Sequence, residues 1–266
     1  MTEQEYALIC RHVKRVIGID LMAYKSQQMQ RRLDAYLRRS GARDWPDYLR
    51  RLERDGQEQA SLRNYLTINV SSFFRDAEKW QQLSERILPG LTRPGATLTM
   101  WSAGCSIGAE PYTLAILAEL RGIRRYEVWA TDIDRGVLAV ARAGGPYTDE
   151  DLKSAPEGVV RRFFDRRPDG LYVKPALRDR VSFAEFNLLE DRADRLFDLI
   201  VCRNVIIYFT DLAKQKVLMG LAQSLRPGGV LFIGGTEVIP ATLARALDLQ
   251  AVGISFYSRV GVPIGA

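Results

Sequence analysis

The stretch Met100–Pro111, Met-Trp-Ser-Ala-Gly-Cys-Ser-Ile-Gly-Ala-Glu-Pro, constrains what this chain folds into more than any other segment. Before it lies Thr97-Leu98-Thr99-Met100-Trp101, a short apolar run with β propensity. After it, the apolar residues of Pro111–Leu120 have helical spacing. Gly104 and Gly108 therefore occupy a strand-to-helix turn, where residues without a side chain let a ligand approach the backbone. Glu110 and Pro111 open the helix, and proline suits the first helical position because its missing N–H is not needed there. A plain tight turn is the competing reading.

A second strand, Glu127–Thr131, ends in Asp132-Ile133-Asp134. An acid at the tip of the second strand, about 20 residues beyond the glycines, is where a ribose diol is held in Rossmann-like sheets. Asp134 adjoins the next helix, Arg135–Ala143, and is the better N-cap. That leaves Asp132 for ribose. The glycine spacing departs from G-x-G-x-x-G and no G-K-[ST] is present, which counts against a phosphate cradle. On these strands alone, dinucleotide binding and S-adenosylmethionine binding both stay open.

The strand–helix alternation continues. Arg180–Phe186 reads as a third strand, ending in Asn187-Leu188. Phe197–Cys202 is a near-continuous apolar run fit for a central parallel strand, ending in Arg203-Asn204-Val205. Leu212–Leu225 reads as a helix, Val230–Gly234 as a fifth strand, and Leu249–Val260 as the last two. Such alternation predicts a mostly parallel sheet with ligands beyond the carboxyl ends of its strands. Asp132, Asn187 and Asn204 all fall there. Between the second and third units, residues 146–180 form an insert with a predicted helix Leu152–Phe164, a turn at Arg166–Gly170 and a short strand Leu171–Lys174.

Residues 1–90 read as all-helical, with a capping box at Thr2 and Glu5 and a linker at Pro89–Pro94. In the predicted helix Ala23–Ser40, Met22, Met29, Leu33, Tyr36 and Leu37 fall in one arc of about 100°, and Lys25, Arg31, Arg32, Arg38 and Arg39 lie opposite. From Lys25 to Arg43 there are six cations and one anion, Asp34. A solvated helix face is one reading; arginine in preference to lysine favours a surface that docks carboxylates. Thr67–Asp76 interleaves Asn69 and Ser71 with apolar residues before Phe73-Phe74-Arg75, which read alone is a helix end, a serine N-cap and a core pair.

The whole chain has 266 residues and a net charge of +6, so an acidic partner is plausible. No zinc-finger or RNP-type signature supports nucleic acid. Cys10, Cys105 and Cys202 are too scattered for a disulfide framework or metal site and read as reduced core residues. No run of about 18 apolar residues predicts membrane insertion.

Thr67–Asp76, Ser102–Tyr112, Ala130–Asp134, Phe186–Leu189, Phe197–Phe209 and Gly234–Glu237 together resemble the CheR-type protein-glutamate O-methyltransferases, which methylate chemotaxis receptors. The resemblance covers almost the whole chain. It implies an N-terminal all-α receptor-docking domain (1–90), then a Rossmann-like class I S-adenosylmethionine methyltransferase domain (91–266) with a small β-subdomain at 146–180. By the same resemblance, Asn69, Ser71 and Arg75 reach the cofactor region. Glu110 and Asp132 hold S-adenosylmethionine beside Gly104, and Asn187, Leu188, Asn204 and Val205 line the rest of its site. Arg75 and Tyr208 face the reacting groups, and the arginine-rich helix face read above, Arg31, Arg32, Arg38 and Arg39, is expected to dock the substrate. The chain departs from the family at Ser71 (usually threonine), Ala109 (often an acid) and Gly235-Thr236-Glu237.

The expected substrate is the cytoplasmic helical domain of chemoreceptors, the expected product besides the ester is S-adenosylhomocysteine, and the protein is expected to be a cytoplasmic monomer without metal. Members that grip a receptor C-terminal pentapeptide have a longer, glycine-richer turn than Arg166–Gly170, so that peptide is not expected to bind. A methyltransferase acting on another acidic protein or a small molecule, or a regulatory module that binds the cofactor without turnover, are the alternatives.

Overall fold

The computed structural model describes residues 1–67, 69 and 71–261. The chain divides into two compact units.

The smaller unit comprises residues up to Asn69 together with Tyr208–Lys214. Its helices are α1 (Glu3–Ile17), α2 (Ser26–Arg39), α3 (Trp45–Arg54) and α4 (Gly56–Thr67). The capping box forms: Thr2 N donates to Glu5 Oε2 at 2.7 Å and Glu5 N to Thr2 Oγ1 at 3.2 Å. Gly18, at φ 75°, ends α1 in a left-handed turn that a side chain would disfavour. Met29, Leu33 and Tyr36 turn the apolar stripe of α2 inward, where the Tyr36 ring meets Tyr48 and Tyr65. Met22, assigned to that stripe, precedes the helix and is 62% exposed. Residues 208–210 are stitched to the start of α2: Lys25 N donates to Tyr208 O, Thr210 N donates to Ala23 O, and the Tyr24 ring packs on Phe209.

The larger unit holds the described residues from 71 to 207 and from 215 to 261. Its helices are α5 (Ala77–Gln82), α6 (Leu88–Leu91), α7 (Ala109–Leu120), α8 (Arg135–Ala143), α9 (Val159–Phe163) and α10 (Pro175–Arg178), then α11 (Asp211–Gln223), shared with the smaller unit, and α12 (Ala241–Ala246). Its strands are β1 (Leu98–Ala103), β2 (Tyr126–Asp132), β3 (Phe164–Arg167), β4 (Gly170–Val173), β5 (Val181–Glu185), β6 (Phe197–Cys202), β7 (Leu225–Ile233), β8 (Leu249–Gly253) and β9 (Phe256–Arg259). Seven strands form one sheet in the order β5-β2-β1-β6-β7-β9-β8, parallel except for β9, which runs antiparallel to both neighbours. β3 and β4 make a separate hairpin.

Strand β1 is the switch point. The chain passes to β2 on one side and later returns to β6 on the other, opening a crevice beyond the carboxyl ends. At the amino end of these strands, buried Asp198 accepts from Thr99 N and Thr99 Oγ1, both at 2.9 Å, and pairs with Arg93 and Arg226. A charge inside an otherwise apolar strand is tolerable because every partner is supplied.

The units divide near Asn69, not at Pro89–Pro94. Trp80, Leu83 and Leu88 are buried in the core of the larger unit, and Pro89 sits in the first turn of α6, where a missing N–H costs nothing. The helix expected over Leu152–Phe164 shrinks to Val159–Phe163, because Pro156 and left-handed Gly158 break it.

Candidate active site

Gly104, at φ 82°, follows β1, and a Cβ there would lie 2.5 Å from Val205 Cγ2. Glycine is needed both for its backbone conformation and for the approach of the loop after β6. Gly108, at φ 94°, precedes α7, and its Cβ would fall 2.9 Å from that of Ala141. The turn is thus packed on both sides rather than left as an open loop.

Asp132 ends β2 with its carboxylate buried. Oδ2 accepts from Ser106 N at 2.8 Å and Oδ1 from Asp134 N at 3.0 Å. Burial raises its pKa, against those backbone donors. It fastens the Gly104–Gly108 turn to β2, a role not foreseen from the sequence. The Ile133 N–H also reaches this carboxylate, which has about four lone-pair sites, so capacity remains for a ribose hydroxyl. Asp134 is the N-cap of α8, accepting from Gly136 N at 2.8 Å.

Glu110 lies in the first turn of α7, where a negative charge complements the helix dipole. Its Oε1 accepts from Ser102 Oγ at 2.8 Å and its Oε2 is 4.0 Å from Arg203 Nη1. Burial pushes its pKa up to about 7, opposed by the Arg203 guanidinium and the Ser102 hydroxyl. An under-compensated buried carboxylate suits a cationic ligand, which S-adenosylmethionine is.

Asn204, at φ 58°, stands in the left-handed region. Glu237 keeps it there: its Oε2 accepts from Gly234 N and from Asn204 N (3.0 Å), and its Oε1 from Ile207 N (3.2 Å). Glu237 was matched in a motif, but its role as a backbone clamp was not read. Asn187 caps its own turn, with Oδ1 accepting from Leu189 N at 3.0 Å and Oδ2 of Asp191 accepting from its N–H at 2.7 Å. Leu188 lines a small cavity with Trp101 and Phe186.

Arg75 lies between two non-glycine residues at positive φ, Phe74 (54°) and Asp76 (61°). Such residues cost about 1–3 kcal/mol each and persist where the surroundings over-determine them. Phe73 N donates to Asp151 O, Phe74 N to Thr113 Oγ1, and Trp80 Nε1 to Arg75 O at 2.9 Å. The Arg75 peptide is thus held while its side chain is exposed. The expected N-cap at Ser71 or Ser72 does not form; Asp76 occupies the N-cap position of α5. Ser71 is half-buried in this unit.

Asn69 and Tyr208 belong to the smaller unit. Asn69 Nδ2 donates to Asn64 Oδ1 and Thr67 Oγ1, closing the end of α4. Arg31, Arg38 and Arg39 are exposed on α2. Arg32 is committed inward, donating to Tyr65 O with its guanidinium 4.7 Å from the Tyr65 ring. The single histidine, His12, pairs with Glu53. Among the described residues no cluster of His, Cys, Asp and Glu could hold a metal, and no helix is long and apolar enough to cross a membrane. Cys10, Cys105 and Cys202 are free and buried.

Family profiles match both parts of this architecture: "CheR methyltransferase, all-alpha domain" over residues 4–67, and "CheR methyltransferase, SAM binding domain" over residues 69–251. The chain belongs to the CheR methyltransferase family. Proteins named chemotaxis protein methyltransferase are similar along most of their length. That of Listeria monocytogenes is 38% identical over 239 residues, 89% of this chain and 91% of the relative. That of Klebsiella aerogenes is 37% identical, covering 89% and 84%. That of Salmonella typhimurium is 35% identical, covering 97% and 92%. This CheR-family chain is therefore an S-adenosylmethionine-dependent methyltransferase.

The charge of Glu110 gives a pH prediction. Its folded pKa is raised, so the folded protein binds the extra proton and stability falls as pH climbs from about 4.5 to about 7, by at most about 3 kcal/mol. If Glu110 holds the cofactor, binding has the opposite dependence, because the ionised carboxylate would bind the cation. Calorimetry should show S-adenosylmethionine affinity weakening as pH falls below about 7. In Glu110→Gln both dependences should flatten. An affinity that is constant from about pH 6 to about pH 8 in the unaltered enzyme contradicts the assignment.

Proposed function

We propose that this enzyme transfers a methyl group from S-adenosylmethionine to glutamate side chains on the cytoplasmic helices of chemoreceptors, giving methyl esters. The names of its relatives support a chemotaxis role. The observation that carries the reading is the exposed Arg75 side chain on a clamped peptide, in the same unit as Glu110 and Asp132.

The chemistry suits these residues. A glutamate side chain has a pKa of about 4.3 and is ionised at neutral pH, so no general base is required. A site without catalytic histidine is consistent with that. Bound S-adenosylmethionine supplies an electrophilic methyl on a sulfonium. Asp132 would hold its ribose and Glu110 its cationic end, while Ser71, Asn187, Leu188, Asn204 and Val205 of the same unit would line the remainder. Arg75 orients the substrate carboxylate. Positioning of this kind can contribute about 7–11 kcal/mol. Attack by an anion on a cation disperses charge, so exclusion of water favours the transition state. Incubation with labelled cofactor and receptor cytoplasmic fragments should yield base-labile label; base-stable label, or label on other proteins only, refutes the proposal.

Docking is assigned to α2. Lys25, Arg31, Arg32 and Tyr65 help line an open cleft of about 540 Å³, with Arg38 and Arg39 exposed further along the helix. Arg32 serves mainly to hold Tyr65. Reversing Arg31 and Arg38 to glutamate should weaken receptor methylation about tenfold at low salt and flatten its salt dependence, with cofactor affinity intact. Unchanged methylation with the original salt response returns α2 to a merely solvated face.

The β3–β4 hairpin bears on tethering. Arg167 pairs with Gly170, so the turn is Pro168-Asp169 alone, and Tyr172 OH donates to Asp169 Oδ2 at 2.6 Å. A Cβ at Gly170 would meet Tyr147 O at 2.8 Å. A turn this tight offers no loop for a peptide to lie along. The enzyme is proposed to act as a cytoplasmic monomer that does not use the receptor pentapeptide. Titration with that peptide should give no saturable heat; micromolar binding at residues 164–173 contradicts this.

A further inference from the structure

We infer that Arg203 is a positioning residue for methyl transfer, a single buried guanidinium that holds the peptide carrying Arg75 and faces the carboxylate of Glu110. The inference rests on the roles of Arg75 and Glu110 proposed above.

Arg203 follows β6, and its side chain is 4% exposed. Its Nη2 donates to Arg75 O at 3.0 Å and also to Asp76 Oδ2. Its Nη1 faces Glu110 Oε2 at 4.0 Å. The guanidinium carbon sits 5.2 Å from the Trp80 ring centre and 4.9 Å from that of Phe232. Trp80 itself donates to Arg75 O, so that carbonyl receives two donors from one packed assembly. The Arg203 Nε is buried with no hydrogen-bond partner among the described residues. The side chain is therefore placed by what its terminal nitrogens and its planar faces touch.

Two features point beyond packing. Buried ion pairs are weak contributors to stability, and an apolar side chain of similar length would also fill the space between Trp80 and Phe232. Yet the pair with Asp76 falls on one of the two left-handed residues flanking Arg75. One terminal nitrogen that grips both the Arg75 carbonyl and the Asp76 carboxylate fixes the direction in which the Arg75 side chain leaves the backbone while its twin turns toward Glu110; an ammonium, a single nitrogen on a flexible stem, cannot face both ways. The other end of the fork opposes the carboxylate assigned to the cofactor. The charged and titratable groups around Glu110 are Arg203 after β6, Glu237 beyond β7, Cys202 in β6 and Cys105 after β1, with Asp76 paired to Arg203. Arg203 is the cation among them, so its removal leaves Glu110 harder to ionise.

The test compares Arg203→Lys, Arg203→Met and Arg75→Ala in the full chain. The readouts are kcat and KM on a receptor cytoplasmic fragment, S-adenosylmethionine affinity across pH, and hydrogen exchange at residues 73–77 in cofactor-free protein. Arg203→Lys should lower kcat at least about tenfold while affinity at about pH 8 stays within about threefold, and exchange at 73–77 should quicken. Arg203→Met should add a shift of the acid limb of cofactor binding to higher pH. Unchanged kcat and exchange in Arg203→Lys, or a parallel fall of kcat, affinity and melting temperature in both variants, overturns the inference. If Arg75→Ala leaves kcat intact, the reading of Arg75 has failed instead; exchange and the pH limb still judge Arg203. Should neither Arg203 variant fold, Asp76→Asn must reproduce the loss of kcat and the faster exchange, and its failure to do so refutes the proposal.

Discussion

Replacing Arg75 with alanine is expected to lower turnover about 10²-fold while S-adenosylmethionine affinity changes no more than about threefold. The asymmetry follows from where the residue stands. Its carbonyl is held by Trp80 and Arg203, so the substitution leaves these anchors of the peptide in place. What is lost is the orientation of the incoming carboxylate, which matters to the chemical step. A very tight ion pair would damp the nucleophile, so the contribution is one of alignment rather than neutralisation. Arg75→Lys should recover part of the rate, because charge returns without bidentate geometry. Equal losses of cofactor affinity and turnover would place Arg75 among the cofactor ligands instead.

Asp132→Ala should weaken S-adenosylmethionine binding by about 1.5–3 kcal/mol, the scale of a charge-assisted hydrogen bond, or roughly 10- to 100-fold. The structure adds a second effect. The same carboxylate accepts from the backbone N–H groups of Ser106, Asp134 and Ile133, so the alanine variant leaves these donors without their partner and should also melt earlier. Asp132→Asn is not a mild control, since its amide would point a donor at one of those N–H groups. Saturating cofactor should stabilise the unaltered protein more than either variant. Calorimetry showing full affinity in Asp132→Ala would remove this residue from the site.

The sheet was legible because its strands are short apolar runs punctuated by turn residues, and because helical stretches separate them. Gly104, Asp132, Asn187 and Asn204 were found at carboxyl ends by that logic alone. The division of the chain was misplaced because prolines near residue 90 look like a linker, whereas Pro89 simply starts a helical turn. Met22 was misassigned because helical phase was extended past the true start of α2 at Ser26. Glu237 and Arg203 went unread for another reason. Their partners are backbone groups and side chains far away in sequence, 30 residues for Ile207 and Glu237 and 127 for Arg203 and Asp76, and no local pattern announces such pairs. Arg32 looked like its neighbours on a helical wheel, and only the position of Tyr65 sets it apart.

The central claim is that glutamate side chains on receptor helices receive the methyl group. Peptide mass mapping of a receptor cytoplasmic fragment, after incubation with enzyme and S-adenosylmethionine, tests it most directly. The account predicts one added methylene mass at particular glutamates, erased by mild base and absent with Arg75→Ala. Modification at lysine, at a terminus or nowhere on the fragment, by enzyme shown to bind its cofactor, would contradict it.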